Sequence, residues 1–394
     1  MMTKNIISEK MMSKQLKVLH ICQSDDPATG GAVRVAVEFT KRLPECGVDA
    51  HCLFVYGKPG LFQSELKNRA HYLGIANSND VWKFGRLLEF IRKFKPDIIH
   101  HHDGLLWCHL LTFFHFGAVK ISHGHLSATD RSIFSRAIFA QNIQRLSTDL
   151  LICVAEHTRS SLVNQGGYQT QRTSVLYNGV NRDRFTPATE SQRFTARKQF
   201  GIPDNVYVVG FVGRLHCGMK GTDDFLKVIS LLPSNYYALV VGTGSDAELL
   251  KKLAVNLRIS DRVIFTGIVD NTVTAYHALD VLGFTSHYEE LSLVIGEAMA
   301  CKVPIVGFSC TGGVNEILRP DTAYLFPNRD LQAMAKGIIQ TIAYPQNWQQ
   351  RYQNIESLLQ QNHDWRNNTR KLVNLYQQTC SHSNFLVKNE RATI

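Results

Sequence analysis

The chain has 394 residues, of which 44% are hydrophobic and 19% are charged; this composition excludes a disordered protein, and the length predicts two domains. The net charge is +10, and Lys and Arg exceed Asp and Glu by eight within residues 1–184, so the first half is expected to meet an anionic partner, either phosphate-bearing or a membrane surface. Nucleic acid is not expected as this partner, because the sequence contains none of its usual recognition motifs.

Short apolar, β-branched runs alternate with amphipathic segments, which predicts parallel strands covered on both faces by helices. Six strands are expected in each half, at residues 16–22, 52–56, 97–100, 119–122, 150–154 and 174–177, then at 207–212, 238–242, 263–267, 281–284, 304–308 and 323–326. The fold class is therefore α/β, with two doubly wound, Rossmann-like domains facing a cleft. The domains are expected at residues 15–187 and 188–362, and ligands beyond the carboxyl ends of the strands.

A helix is predicted to begin after Ser292, behind the fourth strand of the second half. Ser292 is a good N-cap, so the backbone N–H groups of Leu293 to Ile295 would be available to phosphate. Glu289 precedes this helix and Glu297 lies more than one turn inside it, so that two carboxylates can meet one extended ligand at different depths. A carboxylate accepts hydrogen bonds from the vicinal hydroxyls of a ribose or a hexose. A capped amphipathic helix with solvated glutamates explains the same residues.

Glycines and two cations follow the first strand of the second half. Arg214 and Lys220 lie beside Gly213 and Gly221, where they could neutralise a diphosphate that approaches the glycine backbone. Surface charges on an ordinary strand-to-helix loop are the alternative. Two further glycine-rich turns, each weak by itself, follow later strands: Gly242-Thr243-Gly244-Ser245 and Gly312-Gly313-Val314-Asn315-Glu316.

In this order the motifs resemble the glycosyl transferases group 1 family, which comprises retaining enzymes of glycosyltransferase family 4 with the GT-B fold. In the second half the resemblance is carried by Gly213-Arg214, Lys220-Gly221, Gly242-x-Gly244, Val263-x-Phe265-x-Gly267, Ala278-Leu279-Asp280, Glu289-x7-Glu297 with Ala298-Met299-Ala300, and Gly312-Gly313-Val314-x-Glu316. Softer matches in the first half are Gly30-Gly31-Ala32, Pro96–His100, His123-Gly124 and Asn178-Gly179-Val180. The resemblance extends from Leu16 to Gln378.

The resemblance implies a retaining hexosyltransferase-like enzyme that moves a sugar from a nucleotide-sugar donor to a saccharide or lipid-linked acceptor, in cell-surface polysaccharide or glycolipid biosynthesis. Arg214 and Lys220 would hold the diphosphate, Glu297 the nucleotide ribose, and Glu289 the transferred sugar. Gly31 would let its loop approach the phosphate, and His123 would touch the donor sugar near the reacting carbon. The other implied donor contacts are Gly244 and the backbone of Leu291, Ser292, Leu293 and Val294.

The chain departs from the family pattern at three notable positions. The spacing from Arg214 to Lys220 is one residue longer than usual, and Glu290 replaces a common glycine. Gly296 stands inside the predicted helix, where a glycine costs about 1 kcal/mol of helix propensity. None of these departures removes a charged donor contact.

No metal or other cofactor is expected. The run His100-His101-His102-Asp103 resembles a metal-binding cluster, but consecutive side chains at a strand end point in alternate directions. The nine cysteines form no Cys-x-x-Cys pair, and no Asp-x-Asp motif is present to hold a nucleotide sugar through a divalent ion.

Two other functions remain open for this fold. One is a nucleotide-sugar epimerase or a phosphorylase, and the other is a non-catalytic nucleotide-sugar-binding protein. Retention of all four charged residues (Arg214, Lys220, Glu289 and Glu297) argues against the binding protein.

Residues 81–95 predict an amphipathic helix with five cations on one side and a single acid, Glu89. This face is either a solvated surface or, with Trp82 and Phe90, a contact with an anionic membrane that would bring a lipid-linked acceptor to the enzyme. No signal peptide is recognised, so a cytoplasmic location is expected, peripheral to the membrane if the basic face meets one. Residues 363–380 carry an apolar stripe and are expected to form a helix that returns to the first domain, as in GT-B relatives.

Overall fold

The computed structural model describes residues 15–26, 29–76, 80–102, 104–115, 117–128 and 136–391. The chain separates into two compact units, which we call the first unit (residues 1–176 and 366–394) and the second unit (residues 177–365). The boundary expected between residues 187 and 188 therefore falls inside the second unit. The C-terminal residues from 366 onward belong to the first unit.

The first unit is built on a parallel sheet of seven strands, in the order β3-β2-β1-β4-β5-β6-β7. The prediction of six strands in this half is wrong by one, because β3 was missed. The segment that forms β3 lies at the sheet edge and has only two buried residues among six, so it lacks the continuous apolar run of a central strand. The strands are β1 Lys17–Ser24, β2 Asp49–Tyr56, β3 Ala70–Ile75, β4 Ile98–His101, β5 Val119–Gly124, β6 Leu150–Cys153 and β7 Thr173–Val175.

Helices accompany these strands, as expected for a doubly wound sheet. Helix α1 buries Val33, Ala36 and Val37 on the side that packs with Cys22, Cys52 and Phe54 of the sheet. The helices of this part of the chain are α1 Gly31–Arg42, α2 Leu61–Leu66, α3 Gly85–Phe94, α4 Leu106–Phe113, α5 Arg136–Leu146 and α6 Glu156–Asn164. Short 3-10 turns lie at Leu43–Cys46, Lys67–Arg69, Val81–Phe84 and Thr170–Arg172.

The second unit is built on a parallel sheet of six strands, as predicted, in the order β10-β9-β8-β11-β12-β13. The strands are β8 Tyr207–Val212, β9 Tyr236–Val241, β10 Val263–Gly267, β11 Val281–Phe284, β12 Ile305–Phe308 and β13 Tyr324–Phe326. The helices are α7 Glu190–Gln199, α8 Cys217–Lys220, α9 Thr222–Ser230, α10 Ala247–Asn256, α11 Thr272–Ala278, α12 Leu293–Ala300, α13 Leu331–Ala343 and α14 Gln349–Asn362. Short 3-10 turns lie at Ser260–Arg262, Gly313–Glu316 and Pro345–Trp348.

Asp280, from the Ala-Leu-Asp motif, joins three elements of the second unit. One carboxylate oxygen accepts hydrogen bonds from the backbone N–H of Val208 at 2.7 Å and from Arg197 at 2.6 Å. The other oxygen accepts from Arg193 at 2.5 Å. Because both arginines lie in α7, Asp280 fastens this helix to the starts of β8 and β11, and the motif has a structural role.

The last helix, α15 Trp365–Arg391, leaves the second unit at its first residue and runs within the first unit. Leu372 and Tyr376 are fully buried there, and the Tyr376 hydroxyl forms a 2.7 Å hydrogen bond with Nδ1 of His100. Among the helices in the described ranges, none is both long and apolar enough to span a bilayer.

Candidate donor site and histidine cluster

The loop after β8 absorbs its extra residue as one turn of helix, α8. Nδ1 of His216 accepts a hydrogen bond from the backbone N–H of Met219 at 3.0 Å and so caps this turn. Gly221 then ends it with a φ of 59°. A Cβ at Gly221 would lie 2.1 Å from the carbonyl oxygen of Thr285, so only glycine fits. The longer spacing therefore gives Lys220 a defined position at the end of a helical turn.

Lys220 and Glu289 form an ion pair in the second unit, in which Nζ donates to the carboxylate. Lys220 follows β8 and Glu289 follows β11, which are neighbours in the sheet. Both side chains are largely shielded, with 22% and 16% of their surface exposed. The structure thus brings together two residues that were expected to meet different parts of the donor, whereas Arg214 is exposed on the same loop as Lys220.

Glu290, a departure from the family pattern, braces the loop that carries Glu289. Its side chain is buried and accepts hydrogen bonds from the Tyr288 hydroxyl and, at 3.3 Å, from the backbone N–H of Gly313. Gly312 has a φ of 118°, and a Cβ there would lie 2.0 Å from the carbonyl oxygen of Glu289. The Glu289 loop and the Gly-Gly turn are therefore built as one piece. The departure at Glu290 was the signal in the sequence for this role.

Helix α12 begins at Leu293, as predicted, with Ser292 in the N-cap position. The Ser292 side chain forms no capping hydrogen bond, so this part of the prediction is wrong. The first N–H groups of a helix have no partner inside the helix and carry partial positive charge. Gly296 has a packing role, because a Cβ there would lie 2.4 Å from Cγ2 of Val180.

Glu297 is held by Tyr276, a residue that the sequence analysis did not identify. The Tyr276 hydroxyl donates a 2.8 Å hydrogen bond to the Glu297 carboxylate. Burial, and next the negative charge of Glu297, raise the pKa of Tyr276 well above its usual value, so it remains a donor. The contact joins α11 to α12, and no local motif in the sequence marks it.

The Gly242-x-Gly244 motif packs against the loop that carries Arg214. A Cβ at Gly242 would lie 2.0 Å from the carbonyl oxygen of Gly213, and one at Gly244 would lie 2.2 Å from that of Leu215. The backbone N–H of Leu215 also donates to the carbonyl of Thr243 at 2.9 Å. These two glycines therefore allow two strand-end loops to touch, which accounts for Gly244 without a ligand.

In the first unit, one predicted residue begins a helix and the other lies near the carboxyl end of a strand. Gly31 is exposed and begins α1, after Gly30 with a φ of 127°. His123 is buried near the end of β5, and within the described part of the chain neither of its ring nitrogens has a hydrogen-bond partner.

Five histidines of the first unit, which we call the histidine cluster, gather in the middle of β1 and at the carboxyl ends of β4 and β5: His20, His100, His102, His123 and His125. Their ring centroids lie 4.4–5.7 Å apart for every contacting pair, and the His100 and His123 rings are stacked.

The expected alternation of side chains holds at this strand end. His101 faces the other side, where Nε2 lies 3.1 Å from the Thr112 hydroxyl. Asp103 lies outside the described residues. The signal for the cluster in the sequence was the presence of histidines in, or directly after, three strands, which are neighbours in the sheet.

The basic segment at residues 81–95 forms a 3-10 turn followed by α3, rather than one continuous helix. Trp82 is 91% exposed, and Arg86, Arg92, Lys93 and Lys95 are exposed as well. The Phe90 ring is half-buried against the rings of His71 and Phe94, at centroid distances of 5.0 and 5.5 Å. Of the two aromatic residues expected on the basic face, Trp82 is exposed and Phe90 is half-buried.

Two known family models match the chain, one over each of its two sheets. The model of the glycosyl transferases group 1 family matches residues 192–371, and the model of glycosyltransferase family 4 matches residues 29–184. Together these matches cover most of both units.

Two curated relatives are named D-inositol 3-phosphate glycosyltransferase. The protein of Corynebacterium jeikeium is 31% identical over 258 residues, which are 58% of this chain and 60% of that protein. The protein of Corynebacterium urealyticum is 29% identical over 321 residues, which are 74% of each chain. The match to the first relative thus spans less than two thirds of its length.

Among solved structures, HepE of Anabaena in complex with UDP and glucose has a TM-score of 0.80 and 21% sequence identity, over 92% of this chain and all of that chain. At this identity the similarity shows the fold, which is GT-B. Each of the two family matches falls on one of the two parallel sheets. The chain therefore belongs to the glycosyl transferases group 1 family, whose N-terminal half is described by glycosyltransferase family 4.

Proposed function

We propose that this protein is a retaining glycosyltransferase that moves a sugar from a nucleotide-diphosphate sugar to a hydroxyl group of an acceptor. The observation that carries the proposal is the shielded pair of Lys220 and Glu289 at adjacent strand ends. The N-terminus of α12 follows four residues after Glu289 in the chain. A cation, a carboxylate and a helix N-terminus are the groups that a diphosphate and a sugar need.

The chemistry follows from the charges that develop. The bond between the anomeric carbon and the diphosphate oxygen breaks, which leaves negative charge on the diphosphate and oxocarbenium character on the sugar. Lys220, Arg214 and the first N–H groups of α12 stabilise the departing diphosphate. The acceptor oxygen forms its bond on the face from which the diphosphate leaves, and its proton passes to the departing phosphate oxygen. The anomeric configuration is therefore retained.

The remaining residues bind and orient the donor. Glu297, held by the Tyr276 hydroxyl, accepts hydrogen bonds from the ribose, and Glu289 accepts them from the transferred sugar. Gly31 allows its loop to approach the phosphate. The resemblance to the family assigns the imidazole of His123 to the donor sugar, near the reacting carbon.

The similar structures guide the choice of donor and acceptor. HepE holds UDP and glucose, or UDP-glucose, in its crystals, which favours a UDP-sugar as the first donor to test. The relatives' names favour a phosphorylated polyol among the acceptors, beside saccharides and lipid-linked sugars of cell-surface polysaccharide or glycolipid biosynthesis.

Transfer is expected to require both donor and acceptor and to continue in the presence of EDTA. The physical reason is that two fixed cations and a helix N-terminus supply the positive charge that a divalent ion would otherwise bring to the diphosphate. Purified protein is incubated with UDP-, GDP- and ADP-sugars and an acceptor panel in EDTA, with and without added Mg²⁺ or Mn²⁺. Released nucleotide and the anomeric configuration of the product are measured.

Three outcomes would contradict this proposal. Conversion of the donor sugar without an acceptor would indicate an epimerase, and donor binding without turnover on any acceptor would indicate a binding protein. Activity that is lost in EDTA and restored by Mg²⁺ would place a metal ion at the diphosphate.

We further propose that the basic face of α3, with Trp82 in front of it, rests on the anionic cytoplasmic leaflet and brings the enzyme to a lipid-linked acceptor. Each cation near such a surface contributes about 1 kcal/mol, and salt screens this attraction. Co-sedimentation with anionic vesicles is therefore expected at low salt and is lost at about 0.5 M salt. Neutral vesicles are not expected to bind.

The sharpest comparison uses two triple variants of equal charge. Arg92, Lys93 and Lys95 are replaced by Gln in one, and the exposed Lys251, Lys252 and Arg258 of the second unit are replaced by Gln in the other. The first variant is expected to lose vesicle binding and the second to retain it. Equal loss in both variants would mean that net charge, rather than this face, draws the protein to the membrane.

A further inference from the structure

Three histidines of the histidine cluster converge at the carboxyl edge of the first unit's sheet. His123 lies in β5, whereas His102 and His125 directly follow β4 and β5, two strands that pair side by side. One ring nitrogen from each of the three lies within 4.8 Å of the other two. Because the two strands are neighbours, the three imidazole rings surround one point, which we call the shared centre.

Two nitrogen–nitrogen distances in the cluster differ in kind: one is that of a hydrogen bond, and the other is that of two ligands of one metal ion. Nδ1 of His20 lies 2.9 Å from Nε2 of His102, which is an ordinary hydrogen bond. Nε2 of His125 lies 3.4 Å from Nδ1 of His102, which is long for a hydrogen bond. Two imidazole nitrogens that bind one zinc ion at about 2.0–2.1 Å in tetrahedral geometry lie roughly 3.4 Å apart. The pair of His102 and His125 therefore already has the spacing of two zinc ligands.

His123 supplies a third nitrogen that has no other use among the described residues. The side chain is buried, and neither Nδ1 nor Nε2 has a hydrogen-bond partner there. A buried polar atom without a partner is unfavourable, and an ion would give it one. The ring is stacked on His125 with a centroid distance of 4.5 Å, so it has to turn for its nitrogen to reach the shared centre.

The protonation states suit a metal ion. Burial, and next the neighbouring histidines, hold the pKa of His102 and of His123 well below the usual value. Burial lowers the pKa of His125 to about 3. A lowered pKa favours the neutral imidazole, and this is the form that keeps a lone pair for a metal ion.

A hydrogen bond behind the site orients the shared ligand. When Nδ1 of His102 binds an ion, Nε2 of the same ring carries the proton. This N–H group then donates a hydrogen bond to Nδ1 of His20, at the observed 2.9 Å. Metal-binding histidines commonly donate their other ring N–H in this way, which fixes both the tautomer and the ring.

We propose that His102, His123 and His125 bind one divalent transition-metal ion of the Zn²⁺ type. Imidazole nitrogen suits Zn²⁺, Co²⁺, Ni²⁺ and Cu²⁺, whereas Mg²⁺ and Ca²⁺ prefer oxygen ligands. Because His125 is half-exposed, a fourth position remains open to water. The alternative group of His20, His100 and His102 is fully buried, and Nδ1 of His100 is already bonded to the Tyr376 hydroxyl.

The ion competes with catalysis rather than serving it. This consequence rests on the proposed function, in which the His123 imidazole is assigned to the donor sugar. A bound ion would occupy the ring nitrogen of His123 that the donor sugar needs. Zn²⁺ is therefore expected to inhibit transfer, and EDTA is expected to relieve the inhibition.

Metal binding is tested on the full chain without nucleotide sugar or acceptor, so that its result is independent of the proposed transferase activity. Metal-free protein is titrated with Co²⁺, and visible absorption reports the geometry of the bound ion. We expect one Co²⁺ per chain with a four-coordinate spectrum that Zn²⁺ abolishes and Mg²⁺ does not. No stoichiometric binding, or equal displacement by Mg²⁺, would overturn the proposal.

The matched variants are His125→Gln and His71→Gln. Both remove a histidine that is partly exposed and lies beside another histidine in the first unit, since His71 Nε2 is 3.0 Å from Nδ1 of His51. His125→Gln is expected to weaken Co²⁺ binding at least tenfold, which is the lower range for a lost second-sphere partner, and His71→Gln to leave it unchanged. His123→Gln is a second variant with the same expectation. Unchanged Co²⁺ affinity in either folded cluster variant would overturn the assignment.

Discussion

Replacement of Lys220 by alanine is expected to lower kcat/KM about 10²- to 10³-fold, as loss of one donor to a developing anion does. Arg214→Ala is expected to act in the same direction, because we propose that both cations neutralise the charge that forms on the departing diphosphate. The fold is expected to survive, since Lys220 lies at the end of a turn held by His216 and Gly221. Steady-state kinetics with a saturating acceptor and thermal unfolding measure the two effects.

The ion pair of Lys220 with Glu289 complicates this experiment, because removal of the lysine also leaves a shielded carboxylate without its partner. A double-mutant cycle with Lys220→Met and Glu289→Gln separates the two contributions. Lys227→Ala is the matched control, because Lys227 is likewise paired with acids, Asp223 and Asp224, on the next helix. Wild-type kcat/KM in the Lys220 or Arg214 variant would remove that residue from the diphosphate site.

Glu297→Ala is expected to weaken nucleotide binding, whereas Glu289→Ala is expected to lower kcat. The reason is that contacts with the ribose change little during transfer, while contacts with the reacting sugar are strongest in the transition state. Calorimetric titration with free nucleoside diphosphate measures the first effect, and kcat at saturating donor measures the second.

Tyr276→Phe provides an internal control for this division. It removes the hydroxyl that holds Glu297 and leaves the ring in the core, so it is expected to weaken nucleotide binding less than Glu297→Ala and to leave kcat nearly unchanged. If Glu289→Ala and Glu297→Ala reduce nucleoside diphosphate affinity equally, the two carboxylates do not have the separate roles assigned to them.

Continuous apolar runs made the two sheets predictable from the sequence. A central parallel strand is buried on both faces, so its sequence is an uninterrupted apolar segment. Val281–Phe284 is such a segment, and it forms β11. The edge strand β3 is only partly buried and contains His71 and Gly74, and it was missed for that reason. The start of α12 was predictable as well, because Ser292 interrupts the apolar pattern at a helix end.

The sequence by itself determined the candidate donor residues. Arg214, Lys220 and Glu289 follow strands, and strand ends of one parallel sheet meet at one edge. Glu297 lies inside α12, and the resemblance to the family implied its role. Only the tertiary structure decided their partners. Lys220 was expected to act apart from Glu289, yet the two residues pair although they are 69 positions apart in the chain.

The same limit explains Tyr276 and the histidine cluster. Tyr276 reaches Glu297 across 21 residues, and His20 reaches His102 across 82. A local pattern reports which face of its own helix or strand a side chain occupies, because the backbone repeat sets that face. It carries no information about which other element packs opposite, since this depends on the order of the strands in the sheet and on the packing of whole elements.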